Sequence, residues 1–477
     1  MVFIMKKKLI PALLSSMFLM ACSSDDTVIV TEPAPVSEVK FAQFNLSFAV
    51  DNDPAESYQR WVEYMSLTVA EQDKLIAAWK EDVAAGEEGG ADHLLAERVI
   101  QIRNIAAIIQ KNRPDVLLMN EFNNDGDAVD TKVLEGFQNN YLAVSQSLNS
   151  VDGGDMLEPI EYPFAQNYAT NTGLMTEFDL NNDGQKNGAD DAYGFGFYHG
   201  HYSFALLSRF EIDTENTRTF QKFLRKDLPG SVNPEIEVCD GSKPIPEGMA
   251  CGDLWYSKAE WNALRLSSKN HVDAPILVNT PNGKVAVNVL LAHPTPSGFD
   301  TVTYNNRYRN SEENLFWHHY ISGEESLYDD KGNTGGFSGQ HFVVMGDMNA
   351  DNVIGTQINK PWDGIMQLLG NEKVNQSVAQ VGQEFTPTSL GAFESKNPAN
   401  GWNPVHTNPE IRTSVFGSRA DYAVPSASLE VVDSGVYWAA EGYKGRLLFN
   451  DPRVGKYGDS KEISSDHRFV WVTVKVD

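Results

Sequence analysis

The stretch HFVVMGDMNA, His341 to Ala350, reads as an apolar strand that delivers Asp347 and Asn349 at its end. Residues i and i+2 of an extended strand point to the same side, so this carboxylate and carboxamide can address one small anion together. Gly, Asp and Asn also favour turns, and by itself the stretch is equally an ordinary turn. Its meaning depends on the partners that the rest of the chain supplies.

Four segments supply them. NRPDVLLMNEF, Asn112 to Phe122, has a helix end, a proline break and a buried strand that closes on Glu121. The strand Lys284 to Ala292 runs into His293. RADYAVPS, Arg419 to Ser426, sets Asp421 at the start of a short apolar run, and SSDHRFVWVTV, Ser464 to Val474, sets Asp466 and His467 just ahead of the last strand. Strand ends of a sheet lie along a common edge, so these acids and histidines are candidates for one site.

In order, Asn45, Glu121, His293, Asp347 with Asn349, Asp421 and the pair Asp466 and His467 resemble the endonuclease/exonuclease/phosphatase superfamily, the DNase I-like fold. Smaller matches agree. YSFALLSR, Tyr202 to Arg209, resembles the family strand that ends in LeuSerArg, while HPTPSGFD, His293 to Asp300, and RNSEE, Arg309 to Glu313, resemble a secreted bacterial branch. The resemblance implies an α/β fold, a four-layered α/β sandwich of two packed, mainly antiparallel sheets with outer helices and the site across the strand ends.

It also implies metal-assisted hydrolysis of a phosphoester. Glu121, supported by Asp466 and the amide oxygen of Asn45, would hold Mg2+ or Mn2+, since hard oxygen ligands suit those ions. Asp347 would orient or deprotonate the attacking water and Asn349 would donate to a phosphate oxygen. His467 would sit against the phosphate with Asp421 on its other ring nitrogen, and His293 would act as general acid or as a second donor. Tyr202, Arg309 and Asn310 are candidate substrate contacts, with His201 competing for the slot of Tyr202.

The sequence has 477 residues, of which 41 % are hydrophobic and 10 % aromatic, ample for a core and incompatible with global disorder. One large domain, 40–477, with insertions near 123–201 and 214–274, accounts for the spread of motifs. Lys6 to Lys8 followed by the apolar run Leu9 to Met20 reads as an export signal over 1–21. LMAC, Leu19 to Cys22, resembles a lipobox, which implies lipidation at Cys22, a tether over 22–39 and an outer-membrane or cell-surface address, with release after simple cleavage as the alternative. In such an oxidising setting Cys239 and Cys251 are expected to pair, free thiols or a metal pair being the other options.

DLNNDGQKNGAD, Asp179 to Asp190, matches the spacing of an EF-hand loop, with oxygen donors at Asp179, Asn181, Asp183, Gln185, Asn187 and Asp190. The expected role is a structural Ca2+; a polar turn is the alternative. The formal net charge is −27, and there is no Lys or Arg cluster outside the first residues. That balance opposes long-range attraction to nucleic acid or to an anionic membrane. The expectation is therefore an exported metal-dependent phosphoesterase acting on small organophosphates, ahead of a secreted nuclease for DNA or RNA and a non-enzymatic surface binding protein. No protein partner is implied.

Overall fold

The computed structural model describes residues 34–48, 57–87, 89–353, 363–395, 406–454 and 462–477. The export segment, Cys22 and residues 22–33 of the expected tether lie outside the described residues. One six-stranded sheet contains β1 (Glu38–Asn45), β2 (Val116–Asn120), β3 (Phe164–Asn167), β4 (Phe204–Ser208), β11 (Val431–Tyr437) and β12 (Phe469–Lys475), in the order β11-β12-β1-β2-β4-β3. The other contains β5 (Glu211–Ile212), β6 (Arg218–Thr219), β7 (His271–Thr280), β8 (Gly283–Ala292), β9 (His341–Asp347) and β10 (Asp421–Pro425), in the order β10-β9-β8-β7-β5 with β6 beside β7. Among the described strands only the β1–β2 and β8–β9 pairs are parallel.

Alternation along the strands builds the layers. Val39 and Phe41 of β1, Val116 and Leu118 of β2, and Phe204 and Leu206 of β4 share one apolar core with Val272, Ala274 and Ile276 of β7 and Val287 and Val289 of β8. The intervening residues Ala42, Phe44, Leu117, Met119, Ala205 and Leu207 belong to a second core, under α1 (Tyr58–Ser66), α3 (Ala91–Asn112) and α4 (Lys132–Phe137). This period of two puts one set between the sheets and the other beneath the helices. On the far sheet, Phe316, Trp317, Tyr320 and Ile321 of α6 (Asn305–Ser322) and Ile365 and Leu368 of α7 (Gly364–Leu369) complete the fourth layer. The expected sandwich is the observed one.

Three boundaries differ from expectation. The helical run expected over Tyr58 to Trp79 is two helices, because Thr68 opens α2 (Val69–Ala85) with a capping box: its hydroxyl accepts Glu71 N–H while the Glu71 carboxylate accepts Thr68 N–H at 2.8 Å. The first insertion is not wholly outside the sheets, since it contributes the edge strand β3. The second ends at Asn270, because His271 already pairs with Ala292 in β7–β8. Within that insertion, which also carries the short α5 (Lys258–Ala263), Cys239 and Cys251 are disulfide-bonded with Cα atoms 5.9 Å apart. They flank a small apolar cluster of Ile236, Val238, Trp255, Tyr256, Leu264 and Val302, joined by Leu180 from the first insertion.

Candidate active site

Strand direction gathers the polar residues. The parallel strands β1 and β2 end at Asn45 and Asn120, which are paired in register, and β8 and β9 end side by side at Ala292 and Asp347. The antiparallel neighbours begin at that edge, so Asp421 opens β10 opposite Asp347, and His467 lies just ahead of β12. Asn120 bridges the two sheets. Its side-chain oxygen accepts Gln43 Nε2 at 2.9 Å and Asp347 N–H at 3.1 Å, and its nitrogen donates to the Ala292 carbonyl at 3.3 Å.

Around that bridge the expected residues converge. Asn45 Nδ2 donates to Glu121 Oε1 at 3.1 Å and to Asp347 Oδ2 at 3.0 Å. Asp347 Oδ2 lies 3.6 Å from Nε2 of both His293 and His467. The other nitrogen of His467, Nδ1, is 2.9 Å from Asp421 Oδ2, an oxygen that also accepts the Thr413 hydroxyl at 2.7 Å. Asp466 accepts the Ser47 hydroxyl at 2.5 Å, and Ser465 donates to the Asn45 carbonyl at 2.7 Å, which ties the last turn to the first strand. Ser47, Glu121, Tyr202 and Asn349 all have left-handed backbone, with φ between 48° and 58°. Such conformations are costly for residues with a Cβ and cluster at functional sites.

Two amides face differently from expectation. The Asn45 side-chain oxygen, expected on a cation, accepts Ser47 N–H at 2.9 Å, so its nitrogen points at the carboxylates. Asn349 Nδ2, expected on the phosphate, donates to the Pro294 carbonyl at 3.1 Å and lies 3.4 Å from Asp347 Oδ2. Both hold the acids in place. Of the three candidate substrate contacts, Arg309 donates to the carbonyls of Leu266, Tyr193 and Arg265, and Asn310 to those of Thr295 and Met348. Both secure the loops of the site. Tyr202 stacks on the fully buried His201 with ring centroids 3.6 Å apart, His201 lying behind it.

Burial and charge set the protonation states. Burial raises Glu121 to about 7, helped by the Asp466 carboxylate, and raises Asp347 to about 6 against the pull of His467. Burial also holds His293 well below the ordinary histidine value, with the Lys269 charge adding to it. Burial opposes the charged form of His467 too, yet the Asp421 and Asp347 carboxylates outweigh it and hold that imidazole charged. Burial pushes His201 down to about 3, so its ring is neutral.

Carboxylates crowded together at an excess of negative charge suit a divalent cation. Donor atoms of Asp347, Asp421 and His467 lie within 4.8 Å of one another, but the Asp421 and His467 atoms are already hydrogen-bonded together. Glu121, raised by burial and by the neighbouring Asp466 carboxylate, is a further carboxylate at this edge that could hold such an ion. The Asp179–Asp190 loop gives no comparable support for calcium. Its Asp179 and Asp183 oxygens accept loop N–H groups, the closing Asp190 is exposed, and the buried Asp191 beside it bonds Leu180 and Gly188 N–H.

Sequence reasoning passed over Asn120, Ser47, Ser465 and Thr413. Asn120 carries a readable signal, a polar residue in an apolar strand that needs buried partners.

A family model described as Endonuclease/Exonuclease/phosphatase family matches residues 93–467. No curated protein matches the chain. Among solved structures it is similar to an endonuclease/exonuclease/phosphatase from Beutenbergia cavernae, at 12 % identity over 92 % of this chain and 72 % of that one, TM-score 0.40. It is also similar to a Bacteroides thetaiotaomicron family protein, at 12 % over 92 % and 96 %, TM-score 0.39. A third is a Staphylococcus aureus beta toxin mutant with bound magnesium ions, at 13 % over 91 % and 99 %, TM-score 0.33.

Proposed function

The chain belongs to the endonuclease/exonuclease/phosphatase family, and on that premise we propose that it is a metal-dependent phosphoesterase that hydrolyses small organophosphate esters. The observation that carries this reading is Asp347 flanked at 3.6 Å by two imidazoles, one of them paired with Asp421. A binding protein has no physical need for a raised carboxylate beside a neutral and a charged histidine.

Glu121 and Asp466 would hold Mg2+ or Mn2+, which when bound supplies positive charge to the phosphoryl and departing oxygens. Asp347, raised toward neutrality, takes a proton from the attacking water as the water oxygen bonds to phosphorus. The ester P–O bond breaks in line with that attack, and the departing oxygen takes its proton from solvent. His467 and the neutral His293 donate Nε2 hydrogens to phosphoryl oxygens. Asp421 fixes the His467 tautomer and keeps it charged, while Asn45, Asn120 and Asn349 hold Asp347 in place.

The acidic composition favours small esters over nucleic acid, for which a basic track is the usual means of capture. We further propose that residues 1–21 direct export and that Cys22 carries lipid, anchoring the enzyme at the bacterial outer membrane or cell surface. Retention of label from a fatty acid by wild type but not by Cys22→Ser tests that address.

The activity test is a panel of bis-p-nitrophenyl phosphate, p-nitrophenyl phosphate, plasmid DNA and sphingomyelin, with Mg2+ and with chelator. Hydrolysis of a nitrophenyl ester that needs the cation and is lost in Asp347→Ala and His467→Ala is the expected result. Activity unchanged in both variants would overturn the mechanism, and cleavage of DNA alone would select the nuclease.

A further inference from the structure

The loop 194–200 carries two large rings that the protein leaves partly in water, although its own main chain is clamped at both ends. Gly194 N–H donates to the Asn171 carbonyl at 3.0 Å, and the Gly194 carbonyl accepts Gly173 N–H at 2.9 Å. Gly200 N–H donates to the Thr172 carbonyl at 3.1 Å, and the Gly200 carbonyl accepts Asn124 N–H at 3.2 Å. Both glycines lie flush on neighbouring backbone: a Cβ on Gly194 would stand 1.8 Å from the Ser268 carbonyl oxygen, and one on Gly200 2.0 Å from that of Asn124. Only glycine permits so close an approach.

The same contacts place the loop at the catalytic edge. Ser268, under Gly194, sets its hydroxyl 3.4 Å from the His293 carbonyl. Just past the other end, Tyr202 N–H donates to Asn123 Oδ1 at 3.0 Å, two residues beyond Glu121, and Phe122 N–H donates to the Ser203 carbonyl at 3.0 Å. The loop therefore runs from the His293 side of the site to the Glu121 side.

Phe195 and Phe197 are each 45 % exposed on this frame. Their rings meet edge to face with centroids 5.4 Å apart, and the Phe195 ring stands 6.5 Å from that of Tyr202. Phe197 packs on His201 at 5.7 Å, and His201 in turn stacks on Tyr198 and on Tyr202. Leaving two phenyl rings partly in water forfeits hydrophobic stabilisation, and a loop held this firmly does not fold them away. Exposed rings on a pre-organised support beside a reaction centre have the character of a binding surface.

We propose that Phe195 and Phe197 form the platform for the organic part of the substrate, and that this part carries a single planar aromatic group. The inference rests on the phosphoesterase reading and narrows its substrate class. Offset and edge-to-face contact with phenyl rings favours a flat π system over an alkyl chain of equal area. With no Lys or Arg cluster beyond the first residues to follow a phosphate backbone, the platform serves one ring and not a string of bases. A lipid surface suits it less, because each residue is more than half covered by the protein and the formal charge of −27 repels anionic headgroups.

Two phosphonates, whose C–P bond ester hydrolysis does not cleave, separate the platform from turnover. In calorimetry with Mg2+, wild type binds phenylphosphonate about tenfold more tightly than methylphosphonate. Phe195→Ala/Phe197→Ala narrows the ratio to about threefold or less by weakening the phenyl compound, and Phe195→Tyr/Phe197→Tyr retains it. A merely structural role would move both affinities together. If the alanine variant does not fold, Phe195→Leu/Phe197→Leu, which keeps apolar bulk without a ring, is read by the same criteria.

Equal affinities in wild type overturn the platform, as do absence of phenylphosphonate binding and a phenyl preference that survives in the variant without rings. Binding to phosphatidylcholine vesicles that needs the two rings, with no phenyl preference, overturns it in favour of a lipid surface. Hydrolysis of p-nitrophenyl phosphate and ethyl phosphate reduced by the same factor in the variant removes the platform and leaves the hydrolase. Ring-dependent phosphonate binding without hydrolysis of any ester does the reverse.

Discussion

Glu121 illustrates how one side chain would link stability to the proposed cation. Burial raises it to about 7 from an ordinary value of 4.5. Below pH 4.5 the carboxyl is protonated whether the chain is folded or not, and its titration contributes nothing. Between the two values the folded protein keeps a proton that the unfolded chain has released, so stability falls as pH rises, and the loss is complete above about 7. Chelated wild type should therefore lose on the order of 2 kcal/mol between pH 5 and 8 relative to Glu121→Gln, with Mg2+ restoring it in wild type only. Denaturant titrations across that range check this, and parallel curves for the two proteins would refute it. Asp421 acts on His467 with the opposite sign. Its carboxylate is the largest of the contributions that overcome burial and keep the imidazole charged, ahead of Asp347. In Asp421→Asn burial is opposed only by the Asp347 and Asp466 carboxylates, so the alkaline limb of the kcat–pH profile moves to lower pH and kcat at pH 7.5 drops by about 10²- to 10⁴-fold. A profile of unchanged shape would show that His467 needs no carboxylate partner.

The same residues show what could be read from sequence at the level of elements. Strands β9 and β12 announce themselves, because an apolar run abutting Gly-Asp or Asp-His marks both the strand and its functional end. Helix α6 does not. Asn310, Ser311, Glu312, Glu313 and Asn314 are all buried on it, which erases the polar and apolar faces on which helix reading depends. Their partners are distant in sequence: Glu313 accepts Ser268 and Thr295 N–H, and Arg225 meets Glu312 at 2.5 Å. Arg309 and Asn310 accordingly looked like ligand contacts when they are braces. Asn310→Ala takes the 2.8 Å donor from the Thr295 carbonyl and the nearer of two donors, at 2.9 Å, from the Met348 carbonyl next to Asp347, which keeps Asn314 Nδ2 at 3.2 Å. The expected cost is about 2 kcal/mol of stability. A drop of about 10- to 100-fold in kcat with little change in KM should accompany it, because displacement of the Asp347 loop disturbs alignment more than affinity. Chemical denaturation and steady-state kinetics together decide the matter, since loss of stability with kcat intact would confine Asn310 to the fold.

Across the whole molecule, two sheets bring residues hundreds of positions apart to one edge, and this is where sequence reading succeeds and fails for the same reason. The fold order of Glu121, His293, Asp347, Asp421 and His467 is legible because each is a strand-end residue. Asn120 is not, because its importance exists only once the second sheet faces the first. Charge is the property that sequence gives directly, and it yields a test of the molecule as a unit. With a formal −27, long-range electrostatics repel polyanions, and the residues proposed to meet the cation and the phosphate lie in a buried cluster that salt screens little. A protein that reads nucleic acid through six to ten phosphate contacts loses about 10³- to 10⁵-fold in affinity between 50 and 200 mM salt. For this enzyme kcat/KM on a small nitrophenyl ester should change by less than about twofold over that range, since one buried contact releases few counterions. Measurement at fixed Mg2+ with a monovalent salt isolates the effect. A steep fall with salt, accompanied by cleavage of plasmid DNA that is strongest at low ionic strength, would mean that a basic track forms on the folded surface despite the net charge and that the substrate is a nucleic acid.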